Sequence, residues 1–154
     1  MQSNSFQRAD SISNAHVGAE FEKVAKNYFS CLGIELTSEF KILVGVASHK
    51  KERNFDLGCD SEALGKVLVE CKSHKWTAGG NVPSAKITVW NEAMYYFLLA
   101  PSYFRKVFFV LRDFSEKKNE SLAEYYVRTH RHLIPDDVEI LEYCQDRKRV
   151  QKVL

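Results

Sequence analysis

Two short apolar segments carry acids where buried strands normally carry none, and this restricts what the chain can fold into. Residues 54–58 read Asn-Phe-Asp-Leu-Gly, and residues 66–72 read Lys-Val-Leu-Val-Glu-Cys-Lys. Both are expected to be strands. Side chains on a strand alternate between faces, so Glu70 and Lys72 share one face and Cys71 points the other way. If the two segments pair as a hairpin, Asp56 lies beside Glu70. Adjacent carboxylates repel, which is costly unless a cation sits between them. A hard divalent ion with oxygen ligands, Mg²⁺ or Mn²⁺, meets that need. Lys72 adds a positive donor at the rim. Metal, carboxylates and lysine together suit attack of water on a phosphodiester.

The pattern Glu-x-Lys is too short to carry weight alone, and the chain holds three copies of it. Context separates them. Glu116/Lys118 lies in a polar run that reads as a solvated loop. Glu39/Lys41 lies in a plausible strand, but the one Asp before it is Asp10, in the polar N-terminal stretch. Glu70/Lys72 alone ends a buried-type strand and follows, at short range, an Asp on a second strand. The plain alternative is a surface ion pair on an edge strand.

An Asp, a spacer and Glu-x-Lys, preceded by a helix that carries a Glu, resembles the PD-(D/E)xK nuclease superfamily. Its first motif often reads Gly-x-x-x-Glu on the opening helix. Gly18-Ala19-Glu20-Phe21-Glu22 matches it, with Glu22 at the motif position. Phe55 stands where the family's name has Pro. The likeness runs from about residue 15 to 144 and is nearest in style to single-domain Holliday-junction resolvases and Mrr-like enzymes. It implies a restriction-endonuclease-like core. It also implies that Asp56, Glu70 and the backbone carbonyl of Cys71 hold the metal, and that Lys72 is the catalytic lysine. Glu22 would hold a second metal or its water shell. Products would carry a 5′-phosphate and a 3′-hydroxyl.

Composition bounds the rest. The 154 residues suit one domain, and 45% apolar content fits a globular chain. A formal net charge of +2 excludes a generally cationic protein but not a local basic face. Basic residues flank the acids: Lys50, Lys51 and Arg53 before them, His74 and Lys75 after. With Lys86 they are candidates for contact with a nucleic-acid backbone. Cys31, Cys59, Cys71 and Cys144 form no Cys-x-x-Cys, so neither structural zinc nor a redox pair is indicated. The N-terminus is polar, and no apolar run reaches the ~20 residues of a membrane span. A reducing cytoplasm is the expected compartment, with no membrane partner.

Along the chain, residues 1–14 are polar and read as a flexible tail. Val17, Phe21, Val24, Ala25, Tyr28 and Phe29 recur at helical spacing, so residues 15–32 read as a helix ended by Gly33. Glu22 borders that stripe, and an exposed pairing with Lys26 is an equal alternative. Strands are expected over 34–46, 53–59 and 66–73, the last two joined by a turn at 60–65. A helix follows from Pro83 to about Leu99; the resemblance implies that it borders the cleft, which makes Lys86, Trp90 and Asn91 candidates for substrate contact. Then come a strand over 106–112, a helix over 120–132, a strand over 138–143, and a basic tail over 145–154. The expected order is α-β-β-β-α-β-α-β, a mixed α/β domain spanning residues 15–144.

The leading expectation is a metal-dependent nuclease acting on DNA, in repair, recombination or defence. So small a chain is expected to leave no room for a separate sequence-reading domain, which favours structure-selective or weakly specific cutting, or recruitment by a protein partner. A homodimer is the alternative to such a partner. Two alternatives stand beside it: a nucleic-acid-binding module of the same fold with catalysis weak or lost, and an RNA-processing nuclease.

Overall fold

The computed structural model describes residues 9–154, with side chains from residue 15 onward. A long helix α1 (Ala9–Cys31) precedes three strands, β1 (Thr37–Val44), β2 (Lys51–Ser61) and β3 (Gly65–Lys72). Helix α2 (Ser84–Leu99) leads to β4 (Arg105–Leu111). A small hairpin, β5 (Phe114–Ser115) and β6 (Glu120–Ser121), runs into α3 (Leu122–His130). The chain then forms β7 (Val138–Cys144) and β8 (Arg149–Lys152). The α-β-β-β-α-β-α-β order is present, with the small hairpin and β8 added.

The main sheet has six strands in the order β1-β2-β3-β4-β7-β8. The first three form an antiparallel meander. Helices α2 and α3 then serve as crossovers, so β3, β4 and β7 run parallel. Strands of this kind are covered on both faces, which is why β4 is buried from Lys106 to Leu111. On one face Phe21, Ala25 and Phe29 of α1 meet Val67, Val69, Val107 and Phe109. On the other, Trp90, Met94 and Phe97 of α2 and Tyr126 of α3 cover Leu68, Phe108 and Ile140. The fold is thus a mixed α/β sheet between helical layers.

Three boundaries differ from the sequence expectation. Helix α1 already includes residues 9–14, while the expected flexible tail over 1–8 lies outside the described residues. At its other end Gly33, at φ 79°, closes the helix as expected. Ile34 N–H donates to Phe29 O and Gly33 N–H to Ser30 O, both at 2.9 Å, the pattern of a left-handed helix cap. Asp60 belongs to β2 rather than to the turn, and its carboxylate meets Lys66 at 2.9 Å. The segment read as a basic tail is partly sheet. β8 pairs with β7, and Val153 and Leu154 pack against the core, so their apolar side chains outweigh the neighbouring charges. Among the described residues no helix is long and apolar enough to cross a membrane.

Candidate active site at the end of β3

The site forms where the β2–β3 ladder stops. That ladder runs from Ser61–Gly65 to Leu57–Val69. Beyond it the strands part, and Asp56 Oδ2 accepts from the Cys71 backbone N–H at 2.7 Å. A side chain therefore takes the place of a ladder carbonyl.

Asp56 also sits at a slip in the alternation of β2. Leu57 and Cys59 pack on the α1 side, whereas Phe55 packs on the α2 side. In the register set by Ser38–Leu57 and Phe40–Phe55, Asp56 lies opposite Glu39, and those two are not paired. Glu39 has φ 54°, a left-handed conformation that a glutamate adopts at a cost. Such irregularities re-aim side chains beside functional sites. Gly58 accommodates the twist. A Cβ there would come within 2.5 Å of the Phe40 ring, so a larger residue would displace it. The slip puts Asp56 between the two layers, within electrostatic reach of Glu22 on α1 and of Glu70 and Lys72 on β3.

Glu70 is 1% exposed and holds two cations. Arg53 Nη2 donates to its Oε1 at 3.1 Å, and Lys72 Nζ to its Oε2 at 3.0 Å. Lys72 Nζ is also 3.6 Å from Asp56 Oδ2. One ammonium thus bridges both carboxylates. Burial disfavours its charge, but Glu70 and Asp56 outweigh that and hold its pKa above the usual lysine value. Burial raises the Glu70 carboxyl against the pull of Lys72 and Arg53. Burial again, with the nearby Asp56 charge, raises Glu22. Glu22 makes no ion pair or hydrogen bond among the described residues. Cys71 is buried on the α1 side, where desolvation pushes its thiol well up and leaves it an inert apolar group.

Glu22, Asp56, Cys71 and Lys72 line a cleft of about 650 Å³ together with Ser73, His74, Lys75, Thr77 and Lys86. Its wall is the loop between β3 and α2, pinned at Trp76. The Trp76 backbone N–H donates to the Asp113 carboxylate at 2.8 Å, and its indole N–H to the Asp113 carbonyl at 3.0 Å. The cleft lies at the carboxyl end of β3, the usual place for ligands on such sheets.

Of the sequence-predicted residues, Asp56, Glu22, Lys72, Cys71, His74, Lys75 and Lys86 line this cleft, and Glu70 lies beneath it. Others are placed elsewhere. Lys50 is at the tip of the β1–β2 hairpin, donating to Gly45 O at 2.9 Å. Lys51 lines a separate cleft of about 540 Å³ between that hairpin and α2. Arg53 is not a free phosphate contact. It faces inward, paired to Glu70, with its guanidinium carbon 4.1 Å from the Tyr96 ring centroid. Trp90 is fully buried, and Asn91 accepts from the Tyr126 hydroxyl at 2.9 Å, so neither offers itself to substrate. Core packing of α2 explains both.

Of the three expected metal ligands, Asp56 and Cys71 line the cleft, and their oxygens suit a hard divalent cation. Glu70 departs from that expectation, because both its oxygens are engaged by Arg53 and Lys72. Asp56 Oδ1 has no partner among the described residues. Those residues do not bring three carboxylate, imidazole or thiol side chains together as a ready metal group. Lys72 lies at the point that Asp56 and Glu70 share.

No family model matches this chain. No curated protein matches it either. A solved structure, the crystal structure of SSO0001, is similar over 95% of this chain and 52% of that one, with 12% identity and a TM-score of 0.39. This chain spans 52% of that protein's length, and a likeness of this strength carries no argument about function.

Replacing Glu22 separates a working carboxylate from a solvated one. An acid whose pKa rises on folding supports the fold while protonated. That support is lost as pH rises through the raised value. Glu22→Gln therefore stabilises the protein at pH 7, and the gain vanishes below the ordinary glutamate value of 4.5. Because Glu22 is partly exposed, the expected rise in Tm is only about 1–2 °C. Melting curves at pH 7 and pH 4 check this, and cleavage by the same variant should be slower.

Proposed function

We propose that this chain is a metal-dependent nuclease of restriction-endonuclease-like fold that hydrolyses phosphodiester bonds, with DNA favoured over RNA. The observation that carries the reading is the Lys72 ammonium shared by Asp56 and Glu70 at the floor of a cleft that also holds Glu22. A divalent ion, Mg²⁺ or Mn²⁺, would supply polarisation of a phosphate oxygen and an acidified water there.

The chain's own groups do the remaining work. Asp56 and the Cys71 carbonyl offer oxygen ligands, and Glu70 fixes Lys72. Lys72, held charged, faces the charge that builds on the phosphate in the transition state. Glu22, with its raised pKa, would take a proton from an attacking water. Lys75 and Lys86 offer cations to the phosphates on either side. Free Cys31, Cys59, Cys71 and Cys144 fit a reducing, cytoplasmic setting.

One observation favours a second reading, a binding module of the same fold. Both Glu70 oxygens are already held by cations, so the pair is satisfied without a metal. A single panel decides between them. The protein is incubated with duplex, branched and single-stranded DNA and with RNA, in Mg²⁺, Mn²⁺ or EDTA. Metal-dependent cutting of DNA, abolished by EDTA, is expected. Salt-dependent binding without cleavage of any substrate would establish the binding module. Cleavage confined to RNA would assign an RNA-processing role.

A further inference from the structure

His74 meets the cleft in a state set by a residue buried behind it. The Trp90 indole N–H donates to His74 Nδ1 at 2.8 Å. Trp90 is fully buried and wedged edge-on against Phe108 and Tyr126, so its N–H direction is fixed. The two rings lie nearly parallel, at 25°. An indole nitrogen can only donate, so His74 Nδ1 must be the acceptor. The imidazole proton is then on Nε2. A doubly protonated ring would set two donors against each other. Burial, and the charges of Lys86 and Lys72, further oppose protonation and lower the His74 pKa to about 4. Nε2 has no partner among the described residues and is not sealed from solvent. His74 lines the same cleft as Asp56, Lys72, Lys75 and Lys86.

We propose that His74 contacts the substrate as a neutral donor, its Nε2–H locked outward by Trp90 and directed at a phosphate oxygen of the bound strand. The proposal rests on the nuclease reading for its ligand, a phosphodiester, and adds a contact that carries no charge. Trp90 is the positioning residue. Lysines in the same cleft bind phosphate by releasing counterions, so each contributes to the salt dependence of affinity. A neutral imidazole adds a hydrogen bond and leaves that dependence alone. It also fixes direction, because a ring N–H has one line of donation and an ammonium has three.

The test begins with the ¹⁵N-labelled wild-type protein. Long-range ¹H–¹⁵N spectra at pH 7 should give the Nε2–H tautomer for His74, and dimethyl phosphate should move that resonance. Binding of a fluorescent DNA duplex in EDTA is then followed over a series of salt concentrations. His74→Phe keeps a ring but has no donor. It should weaken binding about tenfold, the low end of what a hydrogen bond to a charged group contributes. The slope of affinity against salt should not change. His74→Gln places an amide N–H near the Nε2 position and should recover most of the loss. Lys75→Ala should instead lower the slope by about one ion. A Nδ1–H or doubly protonated ring at pH 7, wild-type binding by His74→Phe, or a reduced slope in that variant would overturn the proposal. If the wild type binds no DNA or RNA but dimethyl phosphate still moves Nε2–H, the nuclease reading fails and the phosphodiester contact stands. If neither ligand acts on the ring, the contact is refuted too. The spectra of the wild type decide the tautomer even if a variant folds poorly.

Discussion

Lys72→Ala is expected to lower the single-turnover rate on DNA by about a hundredfold or more, as loss of one positioned donor does elsewhere. Binding should hardly change. In the folded protein the Lys72 charge is committed to Glu70 at 3.0 Å and to Asp56 at 3.6 Å. Phosphate affinity then falls to exposed cations such as Lys75 and Lys86 at the rim. A lysine present only for affinity would behave otherwise, weakening binding and reducing the salt dependence by about one ion. The variant also leaves Asp56 and Glu70 facing each other without their shared ammonium, so the measurement needs a fold control. Circular dichroism and a melting curve supply it, and Lys72→Met serves as a better-packed substitute. Equal losses in rate and binding would reduce Lys72 to a simple phosphate contact. An unchanged rate would remove it from the chemistry.

Much of the fold was legible because the strands obey simple rules. Residues 107–111 form an unbroken apolar run, as a strand covered on both faces must, and β4 is that strand. The stripe from Phe21 to Phe29 predicted the buried face of α1. What did not follow from pattern was local. Alternation places Phe55 and Leu57 on one face, yet they pack in opposite layers because β2 slips at Asp56. Two neighbouring apolar residues cannot report such a slip, since either face would bury them. Residues 9–14 lack an apolar stripe, so pattern alone starts the helix at residue 15 although α1 begins at Ala9. At the end of the chain, charge masks Val150, Val153 and Leu154, which lean on the core. The site was legible as a set of residue types, but not as a network. Trp90 is a candidate for substrate contact by sequence, while its contribution here is one buried N–H given to His74. Arg53 does carry a usable signal: it stands two residues before Phe55, and on a strand that places it on the buried face.

That inward position makes Arg53 the second residue whose loss should be felt strongly. Its side chain is 28% exposed, bonded to a carboxylate that is 1% exposed, and stacked on Tyr96. Arg53→Met keeps the packing of the stem on the ring and removes the charge. Taking one partner from a fully isolated buried pair costs about 3–5 kcal/mol. Here Lys72 still holds the other oxygen, so about 2 kcal/mol is expected, the worth of one hydrogen bond to a charged group. The sign with pH follows from Glu70. Burial already raises its pKa, and without Arg53 it rises further. The cost of the substitution is therefore full where Glu70 is ionised in the native protein and shrinks as acid protonates it. Cleavage should slow, and its acid limb should move to higher pH. Arg53→Lys returns a charge without the planar fork or the stacking, and should recover only part of either loss. Urea unfolding at pH 7 and pH 4, with Glu70→Gln as the second arm of a double-mutant cycle, measures the coupling. If Arg53→Met unfolds like the wild type, cuts at the same rate and merely loses about one ion of salt dependence in binding, the inward pair is irrelevant and Arg53 is a phosphate contact after all.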